Sequence, residues 1–197
     1  MKLKWKSFSA LTKKELYELL NLRQQVFVVE QDCPFIDADF KDLDCDHLLA
    51  YEKTELVGYL RVGKPGKRYQ GPEIGRVLTK ESIRGKGIGK ILTKEAINFC
   101  ASMYPNQQIG ISAQYRLLNF YQNFGFVQHG EAYLEDDIDH IKMTLTPESK
   151  NKNFFRLGDQ LAICKNFHLI LLILSLIHIS EPTRRYAISY AVFCLKK

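Results

Sequence analysis

Glu73-Ile74-Gly75-Arg76-Val77-Leu78-Thr79 is followed, after four residues, by Arg84-Gly85-Lys86-Gly87-Ile88-Gly89. The first segment reads as a strand. Behind the second, apolar residues recur at Ile88, Ile91, Leu92, Ala96 and Phe99, which is helical spacing. A strand, a glycine-rich turn and a helix N-terminus in that order make an anion site. Glycines let the backbone approach a phosphate, and the helix's unpaired first N–H groups point at it. The expected ligand carries phosphate.

The glycine spacing narrows the choice. A P-loop needs a first glycine where Arg84 stands and a hydroxyl where Ile91 stands. A dinucleotide fingerprint needs Gly-x-Gly-x-x-Gly, whereas these glycines fall at every second position. The pattern Arg/Gln-x-x-Gly-x-Gly/Ala fits as Arg84, Gly87 and Gly89. It resembles the pyrophosphate loop of the GNAT N-acetyltransferases, which bind acetyl-coenzyme A. Asn119-Phe120-Tyr121-Gln122-Asn123-Phe124-Gly125-Phe126, after a strand-like run from Gln108 to Ala113, is similar to the second motif of that family. There Leu117, Phe120, Tyr121 and Phe124 share a helical face, and Gly125 suits a left-handed C-terminal cap. Leu22 to Gln31, Cys33-Pro34 and Asp139-His140-Ile141 resemble the ElaA-like branch. The resemblance covers roughly residues 1 to 146.

The resemblance implies a single GNAT-type α/β domain with a mixed, mostly antiparallel sheet flanked by helices. It implies transfer of an acetyl group from acetyl-coenzyme A to a primary amine by direct attack. The main chain of Arg84, Gly85, Lys86, Gly87, Ile88, Gly89 and Lys90 would hold the pyrophosphate. The Val77–Leu78 backbone would lie along the pantetheine arm, and Asn119 would hydrogen-bond the cofactor or a water. Tyr121 stands at the family's tyrosine position, as the general acid for the leaving thiolate. Glu73, Glu30, His47 and His140 are the candidate bases, and a water relay is an alternative. Arg23, Glu30, His47 and His140 are the candidates on the acceptor side. The acceptor itself, small molecule or peptide, cannot be read from the sequence. The rival from another class is a non-catalytic acyl-coenzyme A-binding regulatory module, against which Tyr121 argues.

Composition bounds the partners. The chain has 197 residues and a formal charge of +6. Up to Ser149, however, basic and acidic residues balance at 20 each, and the remaining eight basic and two acidic residues carry the whole excess. A neutral segment disfavours a nucleic-acid partner. The five cysteines (Cys33, Cys45, Cys100, Cys164, Cys194) show no C-x-x-C spacing, and no histidine pair is spaced for zinc, so no metal is expected. The N-terminus has no apolar signal core. Free thiols in a reducing cytoplasm are the simplest reading. The oligomeric state stays open, a homodimer included.

Other stretches order the rest of the chain. Residues 3 to 8 read as an opening strand, and Thr12-Lys13-Lys14-Glu15 as a capping box before an amphipathic helix with Leu16, Leu19, Leu20 and Phe27. Arg23 falls toward that helix's buried face; either its stem packs and its head reaches water, or it lines the acceptor pocket. Asp37, Asp39, Asp42, Asp44 and Asp46 form an acidic run in which Lys41 excludes an EF-hand. It reads as a solvated loop, or as a border of the acceptor site that attracts a cationic amine. His47–Glu52 and Leu56–Val62 read as a hairpin. In the Gly63–Gly71 loop, Lys64, Lys67 and Arg68 are solvated or reach the adenosine 3′-phosphate. A short run from Phe126, a turn at Asp136-Asp137 and a strand from His140 to Thr146 close the domain, read as residues 1–149. Residues 150–173 are unassigned. Leu174 to Arg184, and Ile188 to Leu195, match in-frame translations of a sequencing adapter, so 174–197 is read as an artefact. The rival there is a membrane tail, although the apolar run from Phe167 to Ile179 is short of the roughly 20 residues a span needs.

Overall fold

A computed structural model describes residues 1–147; the readings of 150–173 and 174–197 lie outside the described residues. Seven strands form one sheet in the order β1-β2-β3-β4-β5-β7-β6. They are β1 Lys2–Ser7, β2 Cys45–Glu52, β3 Glu55–Gly63, β4 Glu73–Thr79, β5 Ile109–Gln114, β6 Val127–Glu135 and β7 Ile138–Leu145. Every pairing is antiparallel except β4 with β5. The mixed, mostly antiparallel sheet is as the family resemblance implies.

Alternation along the strands assigns the two faces. Leu49, Tyr51 and Tyr59 pack with Leu19, Leu22 and Val26, so α1 (Lys13–Arg23) and the π-helical continuation Gln24–Glu30 cover one face. Leu48, Ala50, Leu60 and Val62 pack with Leu92, Ala96 and Cys100 of α2 (Ile88–Met103) on the other. The short α3 (Leu118–Gln122) joins that second core through Tyr121, and Trp5 stacks on Phe99 at 3.9 Å. The capping box is formed: the Glu15 N–H donates to Thr12 Oγ1 at 3.2 Å, and the Thr12 N–H donates to Glu15 Oε2 at 3.0 Å. Burial alone would raise the Glu15 carboxyl. The Thr12 N–H and the ammonium groups of Lys6 and Lys4 instead bring it down to about 2.

Two departures from regular pairing at β4 make the site. Tyr59 faces Leu78 and Arg61 faces Gly75, so between these pairs Leu60 of β3 opposes both Arg76 and Val77 of β4. The extra residue is Arg76, at φ +52°, a β-bulge. On its other side β4 shares one ladder pair with β5, Glu73 with Gly110. Beyond that pair the strands part, and the β5-facing backbone of Gly75 to Thr79 has no ladder partner. The run from Phe126 proves to be a nine-residue edge strand, and Asp136 and Asp137, both at positive φ, turn it into β7.

Candidate active site

The pyrophosphate-loop residues fold as their sequence predicts. Gly85 and Gly87 sit at φ +77° and +78°, and Gly87 is the N-cap of α2 with no side-chain cap. A Cβ on Gly87 would meet nothing within 4 Å, so the loop leaves open space above the first N–H groups of a 16-residue helix. Uncapped N–H groups and the helix dipole make this a place suited to an anion such as phosphate. Arg84 is engaged elsewhere: its guanidinium grips the Glu30 carboxylate at 2.5 and 2.7 Å and donates to the Thr79 carbonyl at 3.1 Å. That fork pulls Glu30 below the usual carboxylate range and away from the role of base. A cleft of about 520 Å³ between α2 and α3, lined by Lys90 and Lys94, continues from the α2 N-terminus.

At the parting of β4 and β5 lies a cavity of about 120 Å³. Val77 and Ala113 form its strand walls, Phe27, Cys33 and Phe35 one end, and Tyr121 another. Leu78 does not line it; its side chain packs under α1. Tyr121 is 4% exposed, and burial pushes its phenol up, so it stays protonated at neutral pH. None of the side-chain hydrogen bonds among the described residues engages its hydroxyl, which is left free to meet a ligand. Gly125, at φ +89°, ends the tyrosine helix as the sequence requires.

A larger basin of about 1020 Å³ opens from this wedge. Phe35, Gly75, Arg76, Ser112, Glu135, Asp136 and His140 line both hollows and mark the junction. There the His140 Nδ1–H donates to the Ile138 carbonyl at 2.8 Å, which leaves Nε2 with a lone pair. Glu135 accepts from Arg68 at 2.8 Å and from Ser112 and Tyr133 at 3.1 Å. Burial alone would raise it, but those donors bring it to about 2. Glu73 lines the outer basin only; burial raises its carboxyl, against the pull of Arg68 at 3.7 Å.

Several candidates lie elsewhere. Arg23 neither reaches water nor lines a hollow: it is 0% exposed, with Nε on Asp37 at 2.6 Å and Nη1 on Asp42 at 2.8 Å. His47, also 0% exposed, is held by the Tyr59 hydroxyl at 2.7 Å and the Asp42 carbonyl at 3.0 Å, and burial lowers its pKa. It is a neutral core histidine with no path to an acceptor. Asn119 is exposed and lines none of the three hollows. The acidic run divides: Asp37, Asp39 and Asp42 are drawn into ion pairs with arginines, whereas Asp44 stays exposed, and Asp39 and Asp44 border the larger basin. Asp37 binds Arg23 and Arg76, and Asp42 binds Arg23 and Arg61. Asp39 binds Arg61 at 2.6 Å, which completes three carboxylates with three guanidiniums. Arg68 does not face the α2 N-terminus but bonds Glu135 across the basin.

Sequence reasoning missed Glu135, Ser112 and the clamp of Asp37 on Arg76 at the bulge, and it gave Arg68 other partners than Glu135. Glu135 was foreshadowed only by its place before the Asp136-Asp137 turn.

Comparison with known proteins gives the family. The model of the acetyltransferase (GNAT) domain matches residues 14–147. The chain belongs to the GNAT acetyltransferase family. It is therefore an acyltransferase, and its relatives place it in the ElaA-like branch. Protein ElaA of Escherichia coli K12 is 41% identical over 137 residues, 68% of this chain and 90% of that one. The crystal structure of Escherichia coli ElaA aligns at TM-score 0.67 and 39% identity, over 73% of this chain and 99% of that one. An acyl-CoA N-acyltransferase from Pseudomonas aeruginosa aligns at TM-score 0.69 and 40% identity, with the same coverage.

Proposed function

We propose that this GNAT protein moves an acetyl group from acetyl-coenzyme A to a primary amine by direct attack. Three features carry the proposal together: the uncapped α2 N-terminus, the edge of β4 that lacks a ladder partner, and the Tyr121 side chain lining the cavity beside that edge. The N–H groups of Gly87 to Lys90 would hold the diphosphate, with Lys90 and Lys94 beside the adenosine end. The unpaired β4 backbone would hold the pantetheine amides as a missing strand would. Bulge N–H groups near Val77 would face the thioester carbonyl and stabilise the oxyanion.

The amine enters through the basin to the junction. The ammonium sheds one proton to solvent, and the neutral nitrogen bonds the carbonyl carbon. Its surplus proton passes to His140 Nε2, the C–S bond breaks as the carbonyl re-forms, and Tyr121 gives its proton to sulfur. Solvent relays the His140 proton back to the phenolate. His140 is the better-placed base, because Glu73 lies three residues along β4 from the bulge, about 10 Å away. Glu73 then serves as an anionic wall that draws in an ammonium. His140→Gln should lower kcat about 10²-fold, whereas Glu73→Gln should raise the acceptor KM and leave kcat within a few-fold. The reverse split would exchange the two roles. A cytoplasmic location suits the free, buried Cys33, Cys45 and Cys100.

Calorimetric titration with acetyl-coenzyme A, followed by thiol release with an amine panel, tests the reading. Gly87→Val puts a branched side chain into the cradle at a φ that L-residues avoid, and the acetyl-coenzyme A Kd should rise tenfold or more. No heat from the parent protein at millimolar ligand would overturn the proposal.

A further inference from the structure

The acceptor basin has an apolar lip. Phe35 stands at the junction with the thioester wedge, and Ile36 and Phe40 follow it outward along the same wall. Ile36 and Phe40 are each 85% exposed, the most exposed large hydrophobic side chains among the described residues. Isolated exposed apolar residues need no explanation, but these two rim the largest of the described hollows.

Two further observations show that the lip is held in place. Phe40 sits at φ +58°, a left-handed conformation that is unfavourable for a bulky side chain. A glycine or asparagine would occupy that position without strain, so the fold tolerates strain to keep an aromatic ring in water at the basin mouth. The backbone beneath is anchored as well: Asp37 binds Arg23 and Arg76, and Asp39 binds Arg61. The Arg76 guanidinium lies 5.6 Å from the centre of the Phe35 ring and 5.7 Å from that of Phe27. The strip is a preformed surface on a rigid support. The basin is also lined by carboxylates, Glu135 and Asp136 at the junction and Glu73, Asp39 and Asp44 beyond, among basic residues of which Arg61, Arg68 and Arg76 are already held in ion pairs.

We infer that the acceptor is a small amine carrying an aromatic or branched apolar body, whose ammonium is drawn to Glu135 and whose body lies on Phe35, Ile36 and Phe40. This rests on the acetyltransferase reading and specifies its second substrate. Burying an apolar body on such a strip favours it over a bare amine in the same chemistry. Phe40 is then a specificity-determining residue, and its strain is a stability cost kept for function.

The test compares 2-phenylethylamine with ethylamine on the full chain, by thiol release from acetyl-coenzyme A. The kcat/KM for phenylethylamine should exceed that for ethylamine by tenfold or more. Phe40→Asn should cut this ratio at least threefold while Tm holds or rises, because asparagine accepts the left-handed backbone. Phe40→Leu should retain most of the ratio. Equal efficiency for the two amines, or a ratio unchanged in Phe40→Asn, would overturn the inference. So would calorimetric binding of acetyl-coenzyme A with neither amine turned over, whether the true acceptor is polar or a longer peptide. Absence of acetyl-coenzyme A binding would instead bring down the transferase reading itself.

Discussion

Replacing Tyr121 by phenylalanine should lower kcat by about 10²–10⁴ and leave the acetyl-coenzyme A Kd within about twofold. The expectation rests on where the hydroxyl is and on what it lacks. The ring packs edge-on against Phe120 and Phe126, at 5.0 and 5.8 Å between centres, and phenylalanine keeps those contacts. With no partner on the hydroxyl among the described residues, stability should change by less than about 1 kcal/mol. What disappears is a proton donor at the closed end of the wedge. Burial holds the phenol protonated, so the acid is in its working form across the neutral range. Single-turnover thiol release would isolate the chemical step. A variant that turns over at the parent rate would exclude Tyr121 from catalysis and leave it a core residue.

Arg23→Met should be the most destabilising single change described here, about 3–5 kcal/mol, seen as a fall in Tm of about 10–15 °C. The guanidinium is fully buried and serves two carboxylates, and its Nη2 also donates to the Asp37 carbonyl at 2.8 Å. Methionine fills similar volume but leaves Asp37 and Asp42 partly unpaired inside the fold. Arg23→Lys should rescue only part of the loss, since an ammonium cannot span both carboxylates as a fork does. The pH dependence follows in sign. Burial would raise Asp42, but Arg23 and Arg61 hold it below the ordinary carboxylate range. A depressed pKa stabilises the fold above the unfolded value near 4, and that contribution is lost as the pH falls through the folded value. In Arg23→Met this contribution shrinks, so the gap between parent and variant should be widest near neutrality and narrow below about pH 4. Melting curves across that range check both claims; a variant as stable as the parent would show the cluster to be dispensable.

The readings that held depend on short-range geometry. Gly87 and Gly125 need a left-handed backbone, Thr12 and Glu15 cap each other three residues apart, and Ile88 to Phe99 follow a helical period. Each is written within one turn or one helix. The readings that failed depend on pairs distant in the chain. Arg23 and Asp42 are 19 residues apart and Asp37 and Arg76 are 39, so nothing local tells a solvated acidic run from a buried, neutralised one. The Arg76 bulge has no glycine to announce it. The edge strand β6 was underestimated because most of its residues are exposed, which erases the alternation by which strands are recognised. The glycine-rich turn at the α2 N-terminus was thus legible, and the basin, assembled from segments distant in the chain, was not.

A sheet held across its middle by a single ladder pair is in effect two panels, β1 to β4 and β5 to β7, with a seam between them. A donor molecule lying in that seam would satisfy the backbone of one panel while touching the other, and so act as mortar. Cohesion of the two halves and occupancy by the donor would then be one thermodynamic quantity, and a chain loaded with coenzyme A should unfold as a single block at a higher temperature than the bare one.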